Sequence, residues 1–178
     1  MSRSKIMPNF KFRLLSAWIT FRSIKRKPQK TLQELGIKEK QHVLDYGAGP
    51  GAFTIPAAKL VGISGTVIAV DIHPLSKKMI EHKAKRQNLW NIKALLANIN
   101  TDLSNEVVDV ILLFDVIHQI EEKGRLFKEL HRLLKTGGKL FIRPDHMSNE
   151  NLKALIKSDG LFAFLRDHKE ILEFQKIG

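Results

Sequence analysis

The 178-residue chain contains no cysteine. That excludes a disulfide framework, a thiolate zinc site and a thiol nucleophile. It has one tyrosine and two tryptophans, and no run of 18 apolar residues, so no transmembrane helix is expected. The mostly apolar stretch from Leu14 to Phe21 is fenced by Arg13 and Arg22. No small-residue cleavage site follows it, so no secretory leader is expected and the expected location is cytoplasmic. Acids are scarce too: 18 Asp and Glu stand against 30 Lys and Arg, for a net charge of +12. Residues 1–40 hold eleven Lys/Arg and two Glu, a net +9, which leaves +3 for the other 138. Such an arm can attract nucleic acid or an anionic membrane surface, or can simply stay solvated.

The length fits one domain, large enough to bury a core without metals or cross-links. An arm over residues 1–40 precedes an alternating strand–helix body over 41–178. In the arm, Phe10, Leu14, Ala17, Trp18 and Phe21 share one face of a helix. Pro28 is expected to end that helix, with a shorter one following over Lys30–Leu35. The body reads as strands at 42–45, 66–71, 92–97, 107–114 and 139–142, with helices between them. Leu126, Phe127, Leu130, Leu133 and Leu134 mark one helix, which Gly137-Gly138 is expected to stop. A helix over Asn149–Ser158 follows. Leu161–Leu165 and Ile171–Phe174 then read as an antiparallel pair. The alternation implies a doubly wound α/β sheet, Rossmann-like and seven-stranded, with N-terminal helices. Ligands of such sheets sit beyond the carboxyl ends of the strands.

Those ends carry Asp45-Tyr46-Gly47-Ala48-Gly49-Pro50-Gly51, then Asp71, Asn98, Asp115 and Arg143. The glycines allow a tight turn and close backbone approach. Asp71 lies 20 residues beyond Gly51, where a carboxylate can accept from both hydroxyls of an adenosine ribose. A dinucleotide loop shares this logic. Asp45 argues against it, because a carboxylate there would repel a pyrophosphate. It would attract the cationic methionine end of S-adenosylmethionine (SAM). A plain strand–helix turn is the bland alternative.

The residues resemble class I SAM-dependent methyltransferases, especially the small-molecule branch that includes quinone-biosynthesis enzymes. Val43–Gly51 looks like the first motif of that family, and Val67–Asp71 like the second. Val108–His118 looks like the fourth-strand motif, and Leu130–Leu140 like the helix–glycine–strand motif. The resemblance implies a sheet of order 3-2-1-4-5-7-6 with strand 7 antiparallel. It also implies a cofactor site of Asp45, Tyr46, Gly47, Ala48, Gly49, Gly51, Asp71, Ile72, Asn98, Ile99 and Asp115. S-adenosylhomocysteine would be the product. Asn98 stands where the family often has aspartate, and its amide oxygen can still accept from the adenine amino group.

Methyl transfer needs a general base only where the acceptor must lose a proton. His118 and His146 lie near the expected active edge and are the two candidates. A metal centre built from Asp115, His118, Asp145 and His146 is not expected, because the ligand spacing is sparse. The expected acceptor is a small molecule. The Pro-Pro motif of amino-directed nucleic-acid methyltransferases is missing after Phe114-Asp115. RNA- or lipid-directed transfer through the basic arm, and SAM binding without turnover, are the alternatives. The N-terminal helices are expected to cover the cofactor, with Trp18 and its stripe lining the substrate pocket.

Overall fold

Alternate residues of the central strands point to opposite faces of the sheet, and the two apolar sets enter different cores. Leu44, Tyr46, Ile111 and Leu113 meet Leu126, Phe127, Leu130, Leu152 and Ile156 on one face of the sheet. Val43, Val110, Leu112 and Phe114 meet Leu32, Ala57 and Val61 on the other. A strand buried on both faces has no polar side to expose, which is why residues 107–114 are almost wholly apolar.

A computed structural model describes residues 6–144 and 147–178. Its strands are β1 (His42–Tyr46), β2 (Thr66–Asp71), β3 (Ile92–Leu96), β4 (Val108–Phe114), β5 (Leu134–Arg143), β6 (Phe162–His168) and β7 (Ile171–Lys176). They form one sheet of order β3-β2-β1-β4-β5-β7-β6. The pairs among β1 to β5 are parallel, and β7 runs antiparallel to β5 and β6. The expected fold is therefore present. Strand order reverses between β1 and β4, so the crevice that such sheets offer to ligands opens beyond those two ends.

The helices are α1 (Asn9–Arg26), α2 (Pro28–Glu34), α3 (Thr54–Val61), α4 (Pro74–Arg86), α5 (Lys123–Leu133) and α6 (Asn149–Ser158). Pro28 does not so much end α1 as begin α2. It occupies the first helical turn, and Lys27 breaks the path with a left-handed φ of 45°. Leu32, Leu35 and Ile37 share a core with β1 and α3, so α2 packs as part of the body and α1 lies over it.

Two expectations fail locally. Gly137-Gly138 does not stop α5. The helix ends at Leu133, and both glycines lie inside β5. There the register jumps from Val108↔Leu134 to Val110↔Lys139. The extra residues loop out, and Gly138 is pressed so close that a Cβ would sit 2.7 Å from the Leu134 side chain. A bulge needs that missing Cβ as much as a helix end would, so the sequence signal was the same. The second failure concerns α1. The stripe expected to line the pocket faces mostly outward: Phe10, Leu14, Trp18 and Phe21 are each more than half exposed, and of these four Trp18 alone borders the cavity. The packed face is instead Phe12, Leu15, Ser16 and Ile19.

The terminal hairpin buries an acid. Glu173 on β7 is 2% exposed and is met by Lys139 at 2.7 Å, Arg166 at 2.9 Å and His168 at 2.7 Å. Burial opposes its ionisation, but the Lys139 and His168 bonds and the nearby cations outweigh that and hold its carboxyl below the usual range. A depressed carboxyl stabilises the fold above its unfolded pKa and stops doing so as pH falls through the folded one. Glu173→Gln is therefore expected to cost about 1–2 kcal/mol at neutral pH. The deficit should shrink on acidification below the ordinary glutamate range, as followed by urea melts at several pH values.

Candidate active site

The loop after β1 is held from below and from the side. Gly47 and Ala48 donate their N–H groups to the Val70 carbonyl, at 2.8 and 3.0 Å, and Gly51 donates to the Ala48 carbonyl at 2.9 Å. Gly49 donates to Oδ2 of Asp71 at 2.8 Å. Pro50 has no N–H. Each backbone donor of the five-residue turn thus has a partner within the protein. From α4, Ser76 donates to the Gly49 carbonyl at 2.5 Å and Lys83 to the Pro50 carbonyl at 2.6 Å. Ser76, Ile80 and Lys83 share one helical face, and Ile80 lies under Gly51, whose Cβ would come within 2.9 Å of it. Sequence reasoning missed this clamp. Its signal is Ser76, a small polar residue on an otherwise inward face.

A loop that binds pyrophosphate offers free N–H groups and a helix N-terminus. This loop has spent its donors. The helix start is also occupied by negative charge, because Thr54, the first residue of α3, donates to Oδ2 of Asp45 at 2.5 Å. Asp45 is 4% exposed. Burial pushes its carboxyl from 3.8 up to about 6; the Asp71 charge adds to this, while Thr54 and the Arg143 charge oppose it. An ionised Asp45 therefore lacks a counter-charge sufficient to offset its desolvation. The arrangement suits a cationic ligand and disfavours an anionic one.

Asp71 accepts from two backbone N–H groups, those of Gly49 and His73, each at 2.8 Å. A carboxylate has about four acceptor sites, so these two backbone bonds do not exhaust its capacity to accept from a ligand. Burial raises its pKa, against the lowering effect of those bonds. Asp71→Ala should weaken SAM or S-adenosylhomocysteine binding about a hundredfold or more, measured by calorimetry beside a thermal melt of the same variant. Unchanged affinity removes Asp71 from the site.

One cavity of about 470 Å³ runs along the strand ends, within the roughly 300–1,000 Å³ of small-molecule sites. Asp45, Tyr46, Gly47, Ala48 and Gly49 line it, as do Asp71, Ile72, Asn98, Ile99 and Asp115. Gly51 does not; its role is the tight packing on Ile80. Tyr46 reaches across β2 to donate to the Asn98 carbonyl at 3.0 Å, tying the loop after β3 to β1. His118, in a single 3-10 turn over Ile117–Gln119, also lines the cavity. His146 and Asp145 lie outside the described residues. Among the described residues, no group of three or more His, Asp or Glu could hold a metal ion.

The partners of two residues at the strand ends, Arg143 and His73, were not foreseen. Arg143, at the end of β5, donates to both oxygens of Asp115 at 2.8 and 2.7 Å. Its guanidinium lies 5.0 Å from the Phe53 ring centre and 4.9 Å from that of Phe114. Bidentate pairing plus aromatic contact orients a cation that is 5% exposed at the cavity wall. Asp115 is therefore engaged chiefly with Arg143, at a φ of 56°. The other residue is His73. It is 2% exposed and caps α4, its Nδ1 accepting from the Leu75 N–H at 3.1 Å. Nε2 then carries the proton and donates to the Met7 carbonyl at 2.9 Å. Phe12 stacks on the imidazole, centroids 3.8 Å apart. That stack moors α1 over the cavity, where Phe12, Leu15, Trp18, Ile19 and Arg22 form a wall.

Residues 37–172 match the family described as a methyltransferase domain. The ubiquinone/menaquinone biosynthesis C-methyltransferase of Citrobacter koseri is 28% identical over 136 residues, 75% of this chain and 53% of that protein. The (S)-coclaurine N-methyltransferase of Papaver somniferum is 32% identical over 124 residues, 68% of this chain and 34% of that one. The chain spans about half the length of the first curated relatives it matches. The crystal structure of a SAM-dependent methyltransferase from Aquifex aeolicus superposes with a TM-score of 0.72 at 26% identity, covering 84% of this chain and 88% of that one. The sheet order agrees with those matches, and the chain belongs to the class I SAM-dependent methyltransferases.

Proposed function

We propose that this chain moves the methyl group of SAM onto a small molecule held between α1 and the ends of β4 and β5. The supporting observation is the asymmetry of the cavity about β1. Asp71 and Asn98 follow β2 and β3 on one side. Asp115, His118 and Arg143 follow β4 and β5 on the other, and the apolar face of α1 lines the same space. The first side suits an adenosine. Asp71 would hold the ribose hydroxyls, with Ile72, Ile99 and the Asn98 amide beside the base. Asp45, between the sides, would face the cationic methionine end.

Bound SAM supplies an electrophilic methyl on a cationic sulfur, open to direct displacement. The protein's contribution is alignment. Phe12, Leu15 and Ile19 exclude water from the α1 side. Arg143, fixed by Asp115, presents a rigid polar wall. Where the acceptor must lose a proton, His118 is the candidate base. His118→Ala would then lower kcat about a hundredfold or more and leave SAM affinity unchanged. An unaltered kcat removes His118 from the chemistry.

The relatives' names span transfer to carbon and to nitrogen, so the acceptor screen spans both. Single-turnover assays with radiolabelled SAM against small-molecule, lipid-extract and tRNA pools test the reading. Label in extractable small molecules is the expected result. Transfer to RNA alone, or tight SAM binding with no acceptor in any pool, overturns it.

A further inference from the structure

Twelve large apolar side chains are exposed among the described residues, and six of them lie between Ile6 and Phe21. Four of these, Phe10, Leu14, Trp18 and Phe21, form the outward stripe of α1, at 53–66% exposure. An apolar stripe of this kind on a lone helix marks an interaction surface. The stripe cannot turn inward. The opposite face of α1 is held by the Phe12–His73 stack and the preceding chain by the Met7–His73 hydrogen bond.

Charge identifies what covers the stripe. α1 has no acidic residue and five basic ones. At about 100° per residue, Lys11 and Arg22 fall on one flank of the stripe and Arg13 on the other. Long basic side chains can lay their stems beside an apolar face and send their charges to a polar plane above it. A stripe of Phe, Leu and Trp between such flanks is built for the headgroup–acyl boundary of a bilayer. A second copy of the chain fits poorly, because two such helices would bring cation against cation with no acid to offset them. Single-stranded nucleic acid favours a basic groove with stacking rings, whereas this is a convex ridge whose middle is the aliphatic Leu14.

We propose that the outer face of α1 docks on anionic lipid membrane surfaces, lying flat in the interface. Trp18 and Arg22 belong both to the ridge and to the cavity wall, with the Arg22 guanidinium 4.9 Å from the Trp18 ring centre. Docking therefore brings one wall of the cavity against the lipid. The proposal is independent of the methyl-transfer reading, since binding to vesicles needs no acceptor.

The test uses the full chain with Trp90→Phe, which leaves Trp18 as the sole tryptophan. Vesicles of phosphatidylcholine with phosphatidylglycerol are compared with pure phosphatidylcholine. Expected are co-sedimentation and a blue shift of Trp18 emission with the anionic vesicles, at least about tenfold weaker with the neutral ones, and loss on raising salt. Phe10→Glu/Leu14→Glu/Phe21→Glu should abolish vesicle binding and leave S-adenosylhomocysteine binding by calorimetry intact. Absence of binding to anionic vesicles overturns the proposal, as does binding that survives the triple substitution. A self-association or tRNA complex that the triple variant loses, with no vesicle binding, assigns the ridge to a second copy or to RNA and equally overturns it.

Discussion

Asp45→Asn is expected to melt at a higher temperature than the wild type at pH 8 and to have lost most of its affinity for SAM. The two effects share one cause. The Asp45 carboxyl is buried and its pKa pushed up to about 6, so the folded protein holds a proton that the unfolded chain gives up near 3.8. Between those values stability falls as pH rises, and above them the whole penalty is present. The shift corresponds to at most about 3 kcal/mol. An asparagine keeps an oxygen for the Thr54 hydroxyl and carries no charge to desolvate or to repel Asp71. The melting advantage should be several degrees at pH 8, by the usual 2–4 °C per kcal/mol for a chain of about this size. It should shrink as pH falls below about 6 and vanish below about 3.8, where the unfolded wild-type chain is also protonated at this position. Binding moves the other way. Removing the buried acid that would face the cationic end of SAM should weaken affinity roughly a hundredfold. Wild-type affinity should also decline as pH falls below about 6, a trend the variant lacks. Calorimetry over pH 5–8 reads both. Equal affinity in the two proteins would show that Asp45 does not face the cation.

The second large effect is expected from Gly47→Ala. Gly47 has φ +76°, and an added Cβ would lie 2.8 Å from three carbons of the Val116 side chain. The left-handed backbone costs a non-glycine residue roughly 1–2 kcal/mol, and overpacking adds about 1–3 more. Val116 has little freedom to retreat. It is β-branched and follows Asp115, itself at φ +56° and held by Arg143. The variant should lose several kcal/mol of stability in denaturant melts and bind SAM poorly, because the loop lines the cavity. Val116→Ala placed on top should relieve only part of the overlap, since the Cβ of residue 116 would still lie 2.8 Å away, and none of the backbone cost. A coupling of about 1–2 kcal/mol between the two substitutions is expected. Gly49→Ala is the control. Its Cβ would meet nothing nearer than Ile19 Cδ1 at 3.9 Å, so only the φ cost applies. Were Gly49→Ala as damaging to the fold as Gly47→Ala, contact with Val116 would not be the reason for glycine at position 47.

Elements whose signals are local were readable from the amino acids alone. The parallel strands announce themselves as short β-branched and apolar runs, α4 by Pro74 at its start, and the hairpin by two strands with a tight connection. The Gly137-Gly138 misreading marks a limit of that method. A glycine pair reports that Cβ atoms are unwelcome, and only the partner strand decides whether the cause is a helix end or a bulge. The same limit touches Gly51, expected in the cofactor loop, where the glycine also makes room for Ile80.

The α1 stripe exposes the other limit. Periodicity finds every apolar face of a helix and ranks them by density, and α1 has two. The denser one faces solvent. The packed one won because Phe12 found His73, a partner 61 positions away in the chain, already fixed as the cap of α4. The cavity followed the same rule. Asp45, Asp71 and the glycines were legible because strand ends are local events. The Arg143 position was legible for the same reason, but its role and that of Ser76 were not, since these exist only through Asp115 and Gly49.

By itself, then, the sequence determined the strand–helix order and the place of the crevice, which follow from propensity and periodicity, and its four motifs carried the resemblance that implies SAM as the methyl donor. Tertiary structure alone decided that the loop spends its N–H groups internally, that Asp45 is kept from ionising freely, and which face of α1 meets water. Those three depend on what lies within a few ångströms, and desolvation, hydrogen bonding and packing act at that range whatever the separation along the chain.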